Sequence, residues 1–266
     1  YLYPNLWPET VRGLMIHSAE WTESMRKTYL GTSNKKPNKS QILSLLRSCG
    51  YGVPNFEKAI HCFENFVNIV VEGKIKPLRF DEKKGKSIPM SLALYELPWP
   101  EELLVSLGNT PVKIKFTLSY FIEPNLNEKG NEPKNRYQSI GLVFEINNPG
   151  ETKSEFISRI SNILDNSAST SLGDKRPWTI GPSIRNNGSI HSDFIEASAI
   201  DLADIKYVAV RPNHGWWDIL DECPDVRYSL IVSLETPKIN ESIYSAIQTK
   251  IAATISQSIA IGTPEI

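Results

Sequence analysis

The sequence predicts an α+β protein in which a short helical segment precedes a larger β-rich region. Apolar residues recur at helical spacing over residues 1–65. Over residues 66–266, apolar and polar residues alternate in several stretches, as they do in strands that have one buried face. We therefore expect two domains with a boundary near residue 65.

Three helices are predicted in the first segment. Pro8 suits the first position of a helix, where its missing N–H costs nothing. Ser40 can cap a second helix, which Gly50 ends. A third helix follows Pro54 and places Phe56 on its apolar face.

The β-rich region is predicted to be a β-sandwich with helical insertions. The clearest strand spans 112–120, where five apolar residues alternate with Lys and hydroxyl residues, and one-sided burial explains the alternation. Thr152 and Glu155 form a capping box before an inserted helix. Further strands are expected at 66–71, 90–94, 140–146, 206–211 and 226–234, and a late helix at 240–251.

Composition excludes several classes of protein. The chain has 266 residues and a formal net charge of -1 with mixed signs, which gives no basic surface for nucleic acid or an anionic membrane. It contains no apolar stretch near the roughly 18 residues that span a bilayer. Its three cysteines match no metal motif and suit a reducing compartment. We expect a cytoplasmic protein without a cofactor.

Two runs near the start carry a family resemblance. They are YPNLWPETVRGLMIHSAEWT at 3–22 and GYGVPNFEKAI at 50–60. Together they resemble the last stretch of subtilisin-like serine peptidases (subtilases), after the nucleophilic serine. The resemblance implies that residues 1–65 complete a subtilase catalytic domain whose Asp, His and Ser precede Tyr1. It also implies that these helices pack on the central sheet of that domain; without that sheet, their apolar faces need another partner.

The second region extends the resemblance over nearly the whole chain. Its runs are LPWPEEL at 97–103, VKIKFTLSYFIEPN at 112–125, GLVFEI at 141–146, GSIHSD at 188–193 and HGWW at 214–217. They are similar to the jelly-roll domain of large bacterial cytoplasmic subtilases that are encoded beside AAA-type ATPases and associated with anti-phage defence. The implied partners are a protein substrate, bound through the catalytic domain, and an AAA-type ATPase.

We assign no catalytic residue to the chain itself. Its one Gly-Thr-Ser ends at Ser33 and runs into NKKP, which cannot form the apolar helix that positions a nucleophile. Its one His-Gly, at His214, follows that serine, whereas subtilases have the order Asp, His, Ser. His17 is expected to be a packed helix residue.

Two polar groups remain as candidate sites. His191, Asp193 and Glu196 could reach a metal from one side of a strand, or form a hydrogen-bonded turn; with no second ligand cluster, we assign no metal site. His214, Trp216 and Trp217 are the candidate surface for a partner or ligand. Since neighbours on a strand face opposite ways, one Trp is expected in the core and the other exposed.

Two functions of different class follow from the sequence. The first is the C-terminal part of a subtilisin-like endopeptidase, inactive by itself. The second is a non-catalytic interaction or regulatory module that docks a partner or controls a protease cleft, with a degenerate pseudoprotease scaffold as a variant of it.

Overall fold

The computed structural model describes residues 4–32, 37–60, 67–81, 86–89, 91–97, 99, 101–125, 138–165, 175–219, 223–235 and 259–262. The helices are α1 (Pro8–His17), α2 (Glu23–Leu30), α3 (Lys39–Cys49), α4 (Phe56–Ile60), α5 (Glu101–Ser106), α6 (Lys153–Asp165), α7 (Pro182–Arg185) and α8 (Ala199–Leu202). The strands are β1 (Val67–Ile75), β2 (Leu78–Asp81), β3 (Lys86–Pro89), β4 (Ser91–Glu96), β5 (Pro111–Tyr120), β6 (Gly141–Ile146), β7 (Ile190–Ser198), β8 (Tyr207–Asn213), β9 (Val226–Glu235) and β10 (Ile259–Gly262).

The strands form two four-stranded antiparallel sheets, which confirms the α+β class. Sheet A has the order β1-β9-β5-β7 and sheet B the order β10-β4-β8-β6, while β2 and β3 pair as a hairpin. Within sheet A, β5 is central, with Phe116 opposite Val232 of β9 on one side and Asp193 of β7 on the other.

The main core lies between the two sheets. Phe116 of sheet A stacks on Phe144 of sheet B with ring centroids 5.7 Å apart, and Trp178 meets both rings edge-on. The apolar residues predicted on 112–120 point into this core and are fully or almost fully buried. The alternating pattern therefore identified the inward face of β5 correctly.

The prediction of one-sided burial is wrong, because α1 covers the outer face of sheet A. Lys115, Thr117 and Ser119, which the pattern placed in solvent, are all buried. Leu14 of α1 packs on Ile231 of β9. Gly13 permits this close approach: a Cβ there would lie 2.9 Å from the Ile231 Cδ1.

Other helices cover the remaining outer surfaces. Phe156, Ile160 and Ile163 of α6 pack on Leu92, Leu94 and Ala209 of sheet B. Helices α2 and α3 join a separate cluster around Trp21, which also contains Phe194 on the outer face of β7. None of the described helices is long and apolar enough to cross a bilayer.

Several local predictions need correction. Helix α3 is capped by Asn38, whose side chain accepts from Gln41 N, and not by Ser40. Phe56 is 76% exposed, so the predicted apolar face of α4 is open to solvent. The capping box of Thr152 and Glu155 is present at the start of α6. The expected helix at 240–251 lies outside the described residues.

Candidate functional site

The contact between α1 and sheet A is a buried polar layer, which we call the α1 seam (His17, Lys115, Thr117, Ser192 and Ser233). The His17 Nδ1 lies 2.9 Å from the Thr117 Oγ1, and its Nε2 lies 2.8 Å from the Ser233 Oγ. Thr117 in turn hydrogen-bonds Ser192 at 2.8 Å. Hydroxyl groups can donate or accept, so this chain of side chains satisfies either neutral tautomer of His17.

Lys115 anchors the C-terminal end of α1. Its Nζ donates to the carbonyl oxygens of His17 at 2.6 Å and Ala19 at 2.9 Å, with a longer contact to Ile16 O. A cation at this end also complements the helix dipole. Burial, reinforced by the nearby charge of Lys113, lowers the pKa of Lys115 to about 7.

His17 is held in its neutral form. The ring is buried under α1, and burial, together with the positive charges of Lys115 and Lys113, lowers the pKa of His17 well below its ordinary 6.5. A neutral imidazole flanked by two hydroxyls is a structural joint with no route to solvent among the described residues. The expectation that His17 is a packed helix residue is therefore confirmed.

Further polar contacts fasten the inward side of α1 along its length. The Arg227 side chain makes two hydrogen bonds to the Glu9 carboxylate, at 3.1 and 2.6 Å. Arg12 donates to Ser119 Oγ and to the carbonyl oxygen of Tyr120. Its guanidinium also lies over the Phe121 ring, 4.4 Å from the centroid.

The opposite side of α1 is apolar and open. Val11 and Met15, four residues apart and thus on one helix face, are 48% and 53% exposed. Val53 and Phe56 are also exposed, and Asn55 N donates to the Ser18 Oγ beside the end of α1. We call Val11, Met15, Val53 and Phe56 the α1 outer patch.

The candidate metal ligands do not converge. They lie on strand β7, so the alternative of a turn is wrong. His191 contacts the Tyr120 ring and Asp193 pairs with Arg185 in the interior, whereas Glu196 points to the exposed side. No metal-ligand group of three is found in the described part of the chain.

Asp193 and Arg185 form a buried ion pair. Arg185 Nη1 lies 3.3 Å from Asp193 Oδ2, both side chains are fully buried, and the guanidinium stacks 4.2 Å from the ring centroids of Phe144 and Trp178. Asp193 also accepts backbone N–H donors from Ile180 and Gly181. The pair therefore braces the segment before α7 against β7. Burial nevertheless raises the pKa of Asp193 above its ordinary value.

The candidate partner surface lies at the end of β8. His214 Nδ1 lies 2.8 Å from Asp218 Oδ2. Trp216 and Trp217 occupy a 3-10 turn (Trp216–Ile219) and not a strand, so the stated reason for their opposite orientations is wrong. Trp217 is nevertheless in the core, while Trp216 is partly exposed and donates to Glu123 O. Gly215 fits tightly here, with Ser139 O only 2.1 Å from where its Cβ would be.

No catalytic triad can be assembled from the described residues that the sequence offered. His214 faces Asp218 at the far end of β8, and Ser33 lies outside the described residues. Comparisons of the chain with family models, with curated proteins and with solved structures find no match.

The α1 seam was missed by sequence reasoning. Its residues stood in the sequence as the polar half of an alternating strand, and that half was assigned to solvent. The composition held a usable signal: Thr117, Ser119, Ser229 and Ser233 are small hydroxyl residues, which a covering helix can approach closely. Solvent-facing positions of a strand more often carry long charged side chains.

Proposed function

We propose that this chain is the C-terminal part of a subtilisin-like serine endopeptidase. In this proposal the Asp, His and Ser of the triad precede Tyr1 in the parent polypeptide, and the two sheets are its jelly-roll domain. The parent hydrolyses peptide bonds in a protein substrate by acylation of the serine, with His as the general base. The described residues contribute no catalytic group to this reaction.

The α1 outer patch is the observation that carries the proposal. The run that forms α1 resembles the helix that follows the nucleophile in subtilases. One side of α1 is fastened to sheet A by the α1 seam, while Val11 and Met15 on the other side are about half exposed. An exposed apolar stripe beside a second exposed apolar side chain, Phe56, is typical of a surface that another domain covers. The missing cover is the central sheet of the catalytic domain.

The role of the sheets then follows from the contacts. Because Lys115 and Arg227 hold α1 from one side, the two sheets fix the position of a helix that belongs to the catalytic domain on its other side. In this arrangement the β-rich region stabilises the protease. An AAA-type ATPase as partner, anti-phage defence as the biological role and a cytoplasmic location belong to the same proposal, and they rest on the sequence resemblance.

A reconstitution experiment tests this assignment. The catalytic segment encoded upstream is expressed separately and mixed with this chain, and the serine is labelled with a fluorophosphonate probe. We expect labelling of the upstream segment only, enhanced by wild-type chain and abolished by Met15→Asp. Ile200→Asp is the matched control, because Ile200 is similarly exposed at 48% but lies on α8. Labelling of a serine in this chain, or equal effects of both variants, contradicts the proposal.

An interaction module is the second candidate, favoured by one observation. Trp216 keeps part of its ring exposed beside His214, on a turn that Gln138 and Ser139 hold by hydrogen bonds to its backbone. A rigid, partly exposed tryptophan is a typical anchor for a protein partner. If this candidate is correct, Trp216→Ala abolishes capture of the partner ATPase by this chain alone, without any catalytic segment. Binding that is unchanged by Trp216→Ala contradicts it.

A further inference from the structure

A small cavity lies at one end of the α1 seam, between sheet A and the segment that links α1 to α2. Its volume is about 20 Å³, and its walls include Trp21, Tyr51, Lys115, Ser192 and Phe194. A cavity of this volume holds one water-sized occupant. Phosphate or a carboxylate ligand is too large for it.

The lining carries an excess of positive charge. Arg26, Lys113 and Lys115 line the cavity, and Glu20 is the one acidic residue among the lining residues. Glu20 is already engaged, since it pairs with Lys58. Lys113 is held only loosely, 3.5 Å from Glu235 and 3.9 Å from Glu20.

Lys115 has no carboxylate partner within ion-pair distance among the described residues. Its hydrogen bonds go to backbone carbonyl oxygens, which are dipoles and carry no net charge. A buried cation is costly unless an opposite charge compensates it. The positive field also reaches His17, whose pKa the charges of Lys115, Lys113 and Lys58 all lower. An anion in the cavity would compensate this field, whereas a water molecule would not.

We propose that this cavity is a binding site for a single halide ion, which is chloride under physiological conditions. Ser192 supplies a hydroxyl donor: when His17 donates from Nδ1 to Thr117 and Thr117 donates to Ser192, the Ser192 proton is free to point into the cavity. Lys113 and Lys115 act through their charge. Trp21 and Phe194 exclude water from the other side.

The site has a predictable pH dependence. Chloride binds more tightly while Lys115 carries its proton, so affinity falls as the pH rises through the pKa of Lys115, and bound chloride raises that pKa. The charged and titratable groups that face Lys115 from the packed elements are Lys58, Lys113, Arg26, Glu20, Glu235 and Tyr51.

Thermal unfolding of the 266-residue chain in sodium chloride or bromide, compared with sodium gluconate at equal ionic strength, tests the site. Gluconate is too large to enter the cavity. At a chloride concentration ten times Kd, the ratio of folded to unfolded chain rises about elevenfold. This corresponds to an increase in Tm of about 4 °C. We expect that increase at about pH 6 and a smaller one at about pH 8.5, because Lys115 then loses its proton.

Two variants and one structure determination complete the test. Lys113→Gln, which leaves the contacts of Lys115 to α1 in place, is expected to abolish the halide effect. Lys27→Gln is the control, because it removes an equal charge from an exposed pair with Glu23 on α2. Crystals grown in bromide are expected to show one anomalous peak in the cavity. Equal Tm in chloride and gluconate, loss of the effect in Lys27→Gln, or a cavity that holds only water overturns the proposal.

Discussion

Acidification is expected to destabilise the fold through its buried histidines, and His191 gives the magnitude. Burial lowers the pKa of His191 to about 4, against 6.5 for the free side chain. Below pH 6.5 the unfolded chain therefore binds a proton that the folded chain rejects. Stability that is present above pH 6.5 is lost as the pH falls towards 4. A gap of about 2.5 between the two pKa values corresponds to about 3 kcal/mol.

That loss is large beside the about 5–15 kcal/mol that stabilises a typical domain. The contacts of His191 explain it: Nε2 meets Gly188 O at 3.0 Å, and Nδ1 is buried without a hydrogen-bond partner in the described structure, so a second proton there has nothing to bond. His17 acts in the same direction, since its pKa is also lowered. Asp193 acts in the opposite direction, because its raised pKa favours the folded state as the pH falls.

Urea unfolding of wild type and His191→Gln at several pH values isolates the effect. Each protein is measured from about pH 7.5 to about pH 4.5, and the difference in the free energy of unfolding is plotted against pH. Asp193 cancels in this difference because both proteins contain it. We expect the variant to lose less stability on acidification than the wild type, with a difference that grows below pH 6.5. Parallel curves for the two proteins would refute the reasoning.

Three further substitutions test the packing. Gly215→Ala is expected to cost about 3 kcal/mol, because the new Cβ meets Ser139 O, and the midpoint of urea unfolding measures it. Asp193→Asn breaks the buried pair with Arg185 and should cost about 3–5 kcal/mol; a loss below 1 kcal/mol contradicts the role of that pair. Asn38→Ala removes the α3 cap and should cost about 1 kcal/mol, visible as a small drop in Tm, and an unchanged Tm contradicts the cap assignment.

The sequence predicts the strands whose inner faces are uniformly apolar and misses the one whose inner face is polar. β5 and β9 alternate cleanly, so their positions follow from periodicity alone. β7 does not, because His191 and Asp193 point inwards while Phe194 points outwards. That inversion depends on Arg185, which arrives from α7 to pair with Asp193. A pairing between distant segments leaves no periodic signal in either of them.

The candidate site shows the same limit. Pro8 and the apolar spacing after it indicate α1, but nothing in that spacing tells which side of the helix meets a sheet. The side that packs is the one with Glu9, Arg12 and His17, and the apolar side with Met15 is exposed. Hydropathy therefore predicts the opposite orientation, because the polar contacts of α1 are matched by polar groups on sheet A.

The most direct test of the central claim is the intact mass and N-terminal sequence of the protein produced from its complete natural gene. The account predicts a chain that extends beyond Tyr1, carries a Gly-Thr-Ser segment shortly before it and reacts with a fluorophosphonate at that serine. A natural chain that begins at or near Tyr1, with no reactive serine, would contradict the peptidase assignment and leave the interaction module as the function.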